Sequence, residues 1–265
     1  MRLDQLLTQK NLVESREKAK AAIMAGLVYV DGQKVTKPGT NVSEDAQVEV
    51  KGPAVPYVSR GGLKLEKALE VFNIDPTGLV AVDVGASTGG FTDCLLQRGA
   101  VRVYAIDVGY GQLDWKLRQD PRVIVMERTN IRYVDPDRFP EKADLAVIDV
   151  SFISLTKIFG VVLSLLKDTG EVVALIKPQF EAGREHVGKK GVVRDSAVHV
   201  EVLGRLSREL QAEGAGLVGL SFSPITGPEG NIEYLSHFKK ACPPQGWEKQ
   251  CLDVVEQAWQ AHKQP

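Results

Sequence analysis

Two ionisable residues stand directly after apolar stretches of the chain. Asp149 follows Leu145–Ile148, and Lys177 follows Glu171–Ile176. Ligands of open α/β sheets bind beyond the carboxyl ends of the strands, where burial and pairing also shift pKa values. Each residue alone is more simply explained as a strand-end charge with a salt-bridge partner, but together they indicate an active site.

Two further charged residues complete a candidate set. Glu233 lies in the last predicted strand, where it could pair with a lysine, and Lys64 lies on the flank of a predicted helix. A ribose hydroxyl attacks a sulfonium methyl group poorly unless its proton is removed or its alkoxide is stabilised. One lysine can act as the base and a second cation can stabilise the oxyanion, while the carboxylates orient both amines. The set therefore favours ribose methylation.

Other methyl-transfer chemistries lack their usual residues. Amino-group methylation commonly uses Asp/Asn-Pro-Pro-aromatic after the fourth strand, but here Val150-Ser151-Phe152 follows Asp149. Methylation of pyrimidine carbon 5 needs a cysteine at a strand end, whereas Cys94 falls inside a predicted helix.

A glycine-rich segment, Asp83 to Phe91, joins a predicted strand to a helix and is typical of a nucleotide-type cofactor loop. A dinucleotide fingerprint would require glycine at position 87, which is Ser87, and a phosphate loop would require Gly-Lys-Ser/Thr. About 20 residues on, Asp107 can accept both hydroxyls of a nucleoside ribose, and Asn130 can hydrogen-bond an adenine edge. The candidate cofactor residues are Asp83, Gly85, Ser87, Gly89, Gly90, Phe91, Asp107 and Asn130.

From Leu79 onward, apolar strands alternate with helices, which predicts a mostly parallel sheet covered on both faces. The loop between the last two strands is too short for a crossover helix, so these strands should be antiparallel. Strands are predicted at Leu79–Val84, Val101–Ile106, Val123–Met126, Leu145–Ile148, Glu171–Ile176, Leu217–Phe222 and Glu233–Phe238, and helices at Leu63–Phe72, Phe91–Arg98, Leu155–Leu166 and Ser196–Glu213.

The first fifty residues predict a small α+β domain. Ser15 is a good N-cap for a second helix that runs to about Ala25, and Asp31-Gly32 is a strong hairpin signal. We expect an α+β domain over 1–52, a linker over 53–59, a Rossmann-like domain over 60–240 with the last strand of seven antiparallel, and a peripheral C-terminal appendage over 241–265.

The totals for the chain are those of an ordinary globular protein. Its 265 residues include 33 basic and 34 acidic side chains, so the net charge of −1 gives no hint of nucleic acid. The N-terminus lacks a secretory signal, and no apolar stretch reaches the roughly 18–20 residues that span a bilayer. The three cysteines and four histidines have no metal-site spacing, so we expect reduced thiols, a cytoplasmic location and no metal.

Several motifs, in order, resemble the TlyA-type family of ribosomal-RNA 2′-O-methyltransferases, which belongs to the FtsJ-like superfamily and is historically labelled as hemolysins. The matching segments are Tyr57-Val58-Ser59-Arg60-Gly61-Gly62-Leu63-Lys64-Leu65, Asp83 to Phe91, Ile148-Asp149-Val150-Ser151-Phe152-Ile153, Ile176-Lys177-Pro178-Gln179-Phe180 and Gly230-Asn231-Ile232-Glu233-Tyr234.

The resemblance implies S-adenosylmethionine as the cofactor and cytidine in ribosomal RNA as the substrate. The family's catalytic tetrad falls on Lys64, Asp149, Lys177 and Glu233, with Lys177 as base or alkoxide stabiliser and the other three positioning it. The resemblance extends to about Lys240, and the tail beyond Ala241 carries no recognised motif.

The N-terminal domain is similar to the RNA-binding fold first seen in a small-subunit ribosomal protein. It carries eight basic and seven acidic residues over 1–52, so its bulk charge alone is a weak signal. Arg16 and Lys20 share a helix face that could follow a phosphate backbone. The candidate RNA-binding residues are Arg2, Lys10, Arg16, Lys18, Lys20 and Arg60, and Arg184, Lys189, Lys190 and Arg194 could add a basic rim.

Two functions of other classes remain open at the level of sequence. An RNA-binding or ribosome-assembly factor with little turnover would not need the tetrad. A cytolysin, as the family's old label suggests, would need a membrane-active segment, and none is evident. A nicotinamide dehydrogenase fits least because the glycine spacing is wrong.

Overall fold

The computed structural model describes residues 1–13, 15–24, 26–50, 55–227 and 229–262. Ala25, where the second predicted helix ends, lies outside the described residues, as do 51–54, which include the start of the predicted linker, and 263–265 of the predicted appendage. The chain divides into an N-terminal unit, Met1–Val55, and a C-terminal unit, Pro56–Pro265, each of which is compact.

The N-terminal unit is the predicted α+β module. Its three described strands form an antiparallel sheet in the order β2-β1-β3. Its elements are α1 (Leu3–Gln9), α2 (Arg16–Met24), β1 (Val28–Val30), β2 (Gln33–Lys34) and β3 (Val48–Val50).

Local signals in the sequence account for this module. The Ser15 hydroxyl accepts a hydrogen bond from the Lys18 N–H at 3.2 Å and caps α2. Asp31 and Gly32 have positive φ angles of 49° and 78°, as a two-residue type I′ hairpin turn requires. The helices and sheet enclose a small core of Leu3, Leu7, Ala19, Ile23 and Val28.

The C-terminal unit alternates strands and helices around a single mixed sheet. Its elements are α3 (Gly61–Val71), β4 (Val80–Val84), α4 (Gly90–Gln97), β5 (Arg102–Ile106), α5 (Trp115–Arg118), β6 (Val123–Met126), β7 (Ala143–Ile148), α6 (Phe159–Ser164), β8 (Leu166–Ile176), α7 (Pro178–Glu181), α8 (Ser196–Ala212), β9 (Gly216–Phe222), β10 (Tyr234–Lys239) and α9 (Glu248–His262).

Seven described strands form this sheet, in the order β6-β5-β4-β7-β8-β10-β9. The pairs from β6 to β8 are parallel, and β10 runs antiparallel to both of its neighbours. The predicted Rossmann-like class is thereby confirmed. Because β4, β7 and β8 are adjacent and parallel, the residues that follow them meet at one edge of the sheet.

One predicted helix is wrong in its extent. Residues Leu155–Leu166 divide into a 3-10 turn at Leu155–Lys157, the short α6, and the first residue of β8. Leu166 pairs with Ala143, and the ladder resumes with Glu171 opposite Leu145. An apolar run cannot distinguish a buried helix from a buried strand by periodicity alone, which explains the error. Glu233 also lies just before β10 instead of within it.

The C-terminal residues pack into the main core instead of forming a peripheral appendage. Helix α9 buries Cys251, Val254, Val255 and Ala258, which fall at i, i+3, i+4 and i+7 and form one apolar stripe. The same spacing is visible in the sequence and could have revealed this packing. None of the described helices combines the length and apolar character needed to cross a bilayer.

Candidate active site

The four charged residues of the predicted tetrad meet in one chain of contacts. The Lys64 ammonium donates a hydrogen bond to Oε2 of Glu233 at 2.5 Å and lies 3.8 Å from Oδ2 of Asp149. Nζ of Lys177 forms an ion pair with Oδ1 of Asp149 at 2.5 Å, although the angles are not those of a hydrogen bond. The same Nζ donates a hydrogen bond to the Ser151 hydroxyl at 3.2 Å. Asp149 therefore joins the two amines.

The ends of different elements bring these residues together. Asp149 follows β7, Lys177 follows β8, and Glu233 precedes β10, where its carbonyl accepts the Ser223 N–H at 2.8 Å. Lys64 lies in the first turn of α3, outside the sheet. Parallel β7 and β8 deliver their residues to the same edge, and antiparallel β10 begins where they end.

Three of the four tetrad residues are largely buried, and the Asp149 side chain is 19% exposed. Lys64 and Lys177 are each 8% exposed and Glu233 is 2% exposed. Burial lowers the pKa of Lys64, but the carboxylates of Asp149 and Glu233 raise it, and the net direction is upward. Lys64 is therefore held as a cation at neutral pH, which suits it to stabilise negative charge and not to remove a proton.

The glycine loop packs directly against the segments that carry the tetrad. Gly85 has a φ of 87°, and a Cβ there would lie 2.5 Å from the carbonyl oxygen of Asp149. A Cβ at Gly90 would meet the Ser59 hydroxyl and, at 2.8 Å, the backbone nitrogen of Gly62 at the start of α3. These glycines are thus required by close backbone packing, in addition to any approach of a ligand.

A cavity of about 290 Å³ opens between the loop and the tetrad. Its lining residues are Ser59, Arg60, Gly61, Lys64, Gly85, Ala86, Ser87, Thr88, Gly90, Phe91, Asp149, Ser151, Lys177, Ile225, Thr226 and Gly227. Of the predicted cofactor residues, Gly85, Ser87, Gly90 and Phe91 are among them, while Gly89 supports the loop with a φ of 95°.

Asp83 lies beneath the loop and does not line the cavity. It is fully buried and accepts a hydrogen bond from the Thr92 hydroxyl at 2.6 Å, while its Oδ1 has no hydrogen-bond partner among the described residues. Burial raises the pKa of Asp83 to about 7. In this arrangement the side chain supports the loop from below.

The two other polar candidates also organise backbone. The carboxylate of Asp107 accepts the N–H groups of Ser87 at 2.8 Å and Gly109 at 2.7 Å, and so ties the glycine loop to the end of β5. Oδ1 of Asn130 accepts the N–H of Arg132 at 3.1 Å and caps the turn that follows. A carboxylate has about four acceptor positions, so Asp107 can still accept ribose hydroxyls.

Two residues of the site were not assigned a role from sequence. Ser151 contacts Lys177 and lies two positions after Asp149, a signal that would have identified it. Asn231 is 3% exposed, and its amide accepts the Val193 N–H at 3.2 Å and donates to the Gly191 carbonyl at 2.8 Å. Asn231 therefore holds the segment before Glu233 against a second loop.

In the N-terminal unit, a buried carboxylate orients two of the candidate RNA-binding arginines. Asp4 is fully buried and accepts hydrogen bonds from Nε of Arg2 at 2.9 Å and Nε of Arg16 at 3.0 Å. The hydrogen bond from Arg2 is the main reason that the pKa of Asp4 falls to about 2, despite burial. Both arginine side chains remain nearly half exposed, 45% and 43%.

The remaining candidates are dispersed over both units. Nζ of Lys10 donates to the Ala46 carbonyl at 2.8 Å, and Lys18 and Lys20 lie on α2 with Arg16. Arg60 belongs to the C-terminal unit, where it is exposed and lines the cavity.

The cavity suits a nucleoside linked to a zwitterionic amino acid. Ser59, Ser87 and Thr88 are among its lining residues, as are Lys64 and Lys177, and the acidic Asp107 anchors the loop through the Ser87 N–H. A short polar loop of this kind offers hydrogen bonds and close packing without a phosphate cradle. The tetrad can hold an oxygen nucleophile between its two amines.

Comparisons with known proteins identify the family to which the chain belongs. The FtsJ-like methyltransferase family matches residues 57–240, and the S4 domain matches residues 1–48. The Bacillus subtilis protein YqxC, provisionally named an rRNA methyltransferase, is 54% identical over 99% of this chain and 94% of its own length. The 16S/23S rRNA (cytidine-2′-O)-methyltransferase TlyA of Mycobacterium tuberculosis is 44% identical over 88% of this chain and 87% of its own.

A solved structure extends the likeness to three dimensions. A protein of Streptococcus thermophilus, provisionally named a hemolysin, superposes with a TM-score of 0.81 and 48% identity, covering 99% of this chain and 97% of that one.

Proposed function

Since this chain belongs to the FtsJ-like methyltransferase family and carries an S4 domain, we propose that it transfers a methyl group from S-adenosylmethionine to the 2′-hydroxyl of a cytidine in ribosomal RNA. The convergence of Lys64, Asp149, Lys177 and Glu233 beside the glycine loop carries the proposal. Substrate identity rests on the relatives, two of which are named as rRNA cytidine-2′-O-methyltransferases with 44% and 33% identity to this chain.

Each member of the tetrad has a role that follows from its contacts. Lys64 stays charged between Glu233 and Asp149 and stabilises the developing alkoxide. Lys177, held by Asp149 and Ser151, acts as the neutral amine: its Nζ accepts the proton of the ribose hydroxyl as the oxygen–methyl bond forms and the sulfur–methyl bond breaks, and later releases this proton to water. Asp149 sets the spacing of the two amines.

The glycine loop places the cofactor next to these groups. When bound, S-adenosylmethionine supplies an electrophilic methyl group on a sulfonium. Gly85 to Phe91 would pack along it, and Asp107 would accept its ribose hydroxyls while it holds the N–H of Ser87. The packing of the loop against the Asp149 backbone would hold the bound cofactor at a fixed position relative to the tetrad.

RNA binding is assigned to the N-terminal unit, with a contribution from Arg60. Arg2 and Arg16, oriented by Asp4, would contact phosphates, together with Lys10, Lys18 and Lys20. An enzyme with this substrate would act in the cytoplasm, where ribosomal subunits are assembled.

The test is mapping of methylated nucleosides. Ribosomal subunits from cells that lack this protein would be incubated with the purified chain and labelled S-adenosylmethionine, then digested and analysed by mass spectrometry. We expect 2′-O-methylcytidine at a defined position with the wild type and none above background with Lys177→Ala.

Lys167→Ala is the matched control. Lys167 lies at the opposite end of β8, where its ammonium is 2.6 Å from Asp144, so its removal should leave methylation unchanged. Absence of labelled cytidine with the wild-type protein, or full labelling with Lys177→Ala, would refute the proposal.

A further inference from the structure

A buried carboxylate outside the cavity joins two segments of the active site. Glu181 is the last residue of α7, and its side chain is 2% exposed. Its Oε1 accepts the Leu155 N–H at 2.8 Å, and its Oε2 accepts the Ser154 hydroxyl at 2.7 Å. The carboxylate thus attaches α7 to the end of the loop that follows β7.

The segments that Glu181 joins are those that carry Asp149 and Lys177. The loop over residues 149–155 begins at Asp149, whose N–H donates to the Val84 carbonyl at 3.0 Å, and ends at the contacts to Glu181. Lys177 immediately precedes α7 and contacts the start of the same loop. Side-chain contacts therefore join the loop to α7 and its preceding residue at two places. One is the ion pair of Asp149 with Lys177, and the other is the pair of hydrogen bonds to Glu181.

An aromatic contact lies between these two sets of side-chain contacts. The rings of Phe152 and Phe180 lie with their centroids 4.8 Å apart. Phe152 has a φ of 65° and is 90% exposed, whereas the next residue, Ile153, is partly buried and packs against the main core. The hydrogen bonds of Glu181 add to this packing and fix the loop at Ser154 and Leu155.

The burial of the Glu181 carboxylate has a free-energy cost, which indicates that its position has a structural role. Burying a carboxylate is unfavourable, and burial raises the pKa of Glu181 despite the bonds from Leu155 and Ser154. Arg205 on α8 compensates in part, because its Nη2 donates to the Glu181 carbonyl at 2.8 Å and lies 3.8 Å from Oε2.

We propose that Glu181 is a positioning residue of the methyl-transfer site, which holds the loop of residues 149–155 on α7 so that Asp149 and Ser151 keep the Lys177 amine in place. The inference rests on the proposed function. Loss of the carboxylate leaves the Leu155 N–H and the Ser154 hydroxyl without their acceptor and frees the loop to shift. A displacement of about 1 Å in a catalytic group can cost about 100-fold in rate.

The test compares Glu181→Ala and Glu181→Gln with Glu209→Ala. Glu209 accepts a hydrogen bond from the other side of the same guanidinium, Nη1 of Arg205 at 2.8 Å. Among the described residues this hydrogen bond does not involve the loop, so Glu209→Ala controls for disturbance of Arg205. The measurements are kcat and KM on ribosomal subunits, calorimetric binding of S-adenosylmethionine, and amide hydrogen exchange across residues 150–156.

We expect Glu181→Ala to lower kcat by about 10- to 100-fold, with KM and cofactor affinity unchanged and with faster exchange in the loop. Glu181→Gln keeps an acceptor for Leu155 and a polar partner for Ser154, so it should restore most of kcat. Glu209→Ala should match the wild type. If Glu181→Ala does not fold, Ser154→Ala removes one contact and should lower kcat in the same direction.

Wild-type kcat in Glu181→Ala, or loop exchange equal to that of Glu209→Ala, would overturn the inference. An equal loss of cofactor affinity and kcat would also overturn it, because that result indicates general unfolding. If the wild type does not methylate ribosomal RNA, the proposed function fails, whereas the exchange comparison still decides whether Glu181 holds the loop.

Discussion

At the scale of single residues, an ion pair decides whether a buried side chain stays charged. Lys64 and Glu233 are separated by 169 positions in the chain, yet their side chains are 2.5 Å apart. The carboxylates outweigh burial in setting the pKa of Lys64, and the amine stays protonated. A lysine on a helix flank, ordinarily a surface residue, thus becomes a fixed cation of the site.

Lys64→Met should lower the free energy of unfolding by about 3–5 kcal/mol, because it leaves Glu233 buried without its cation. Adding Glu233→Gln should recover much of this stability without restoring methylation. Because the pKa of Lys64 is raised above its usual value of 10.5, its stabilisation is complete below that pH and is lost only as the pH rises through the folded-state pKa. Urea denaturation and methylation assays separate the two effects. Recovery of activity in the double variant would contradict this role for Lys64.

Asp83 provides a second prediction at this scale. Its pKa is raised, whereas the pKa of a paired acid is usually lowered, so its effect on stability changes with pH in the opposite direction. Its pKa is about 7 in the folded chain and 3.8 in ordinary surroundings. Over this window the unfolded state loses a proton that the folded state keeps, so the wild type loses stability as the pH rises. Asp83→Asn does not titrate. Its stability relative to the wild type should therefore increase over the same window in denaturation at a series of pH values.

Asp75→Asn is the control for Asp83. Asp75 is exposed, and the Thr77 hydroxyl lowers its pKa. Its contribution to stability is present above the ordinary pKa and is lost as the pH falls, so Asp75→Asn should become less stable relative to the wild type as the pH rises. Parallel curves for the two variants would rule out the assignment of Asp83 as a penalised buried acid.

At the scale of elements, the glycine loop connects the parts of the site through its backbone. The Cβ atoms that are absent at Gly85 and Gly90 leave room for the Asp149 carbonyl and for Ser59 and the first residues of α3. The loop is therefore packed against β7 and α3 at the same time. A change of one atom in the loop can therefore displace the Asp149 carboxylate through its backbone.

Gly85→Ala should abolish most methylation, because its Cβ would lie 2.5 Å from the Asp149 carbonyl oxygen and must displace it. Gly78→Ala is the control, since Gly78 also has a positive φ, 75°, but a Cβ there meets nothing within 4 Å among the described residues. Both variants should lose about 1–2 kcal/mol of stability from the backbone conformation, but only Gly85→Ala should lose kcat. Equal activity in the two variants would disprove a packing role for Gly85.

At the scale of the whole molecule, the chain has two units with separate cores, and the proposed function assigns RNA binding to one and methyl transfer to the other. The N-terminal unit presents arginines ordered by Asp4, and the C-terminal unit contains the cavity and tetrad. Net charge is −1, so attraction to RNA depends on where cations are placed and not on the total.

Arg16→Ala should raise KM for ribosomal subunits and leave the binding of S-adenosylmethionine unchanged. It should also reduce the slope of the logarithm of the RNA-binding constant against the logarithm of the salt concentration by about one. Arg122→Ala is the control, because Arg122 is also paired with an aspartate, Asp120 at 2.7 Å, but lies just before β6, away from the carboxyl ends of the strands. Filter binding over a salt series would measure both variants. An identical salt slope for Arg16→Ala and the wild type would exclude a phosphate contact.

The amino-acid sequence alone determined the Rossmann-like class and the α+β module, and it predicted the tetrad, in which Lys64 depended on the family resemblance. Apolar strands between helices require a parallel sheet, and parallel neighbours place Asp149 and Lys177 at the same edge, so local patterns were sufficient. The periodicity of α9 carried the same kind of information, although the tail was expected to be peripheral.

Only the tertiary structure decided how these groups are charged and held. The pairing of Lys64 with Glu233, the burial of Asp83 beneath the loop and the hold of Glu181 on residues 154 and 155 all depend on contacts between distant elements. Periodicity and motif spacing describe neighbours along the chain, whereas burial and ion pairing, which set pKa values and positions, arise from neighbours in space.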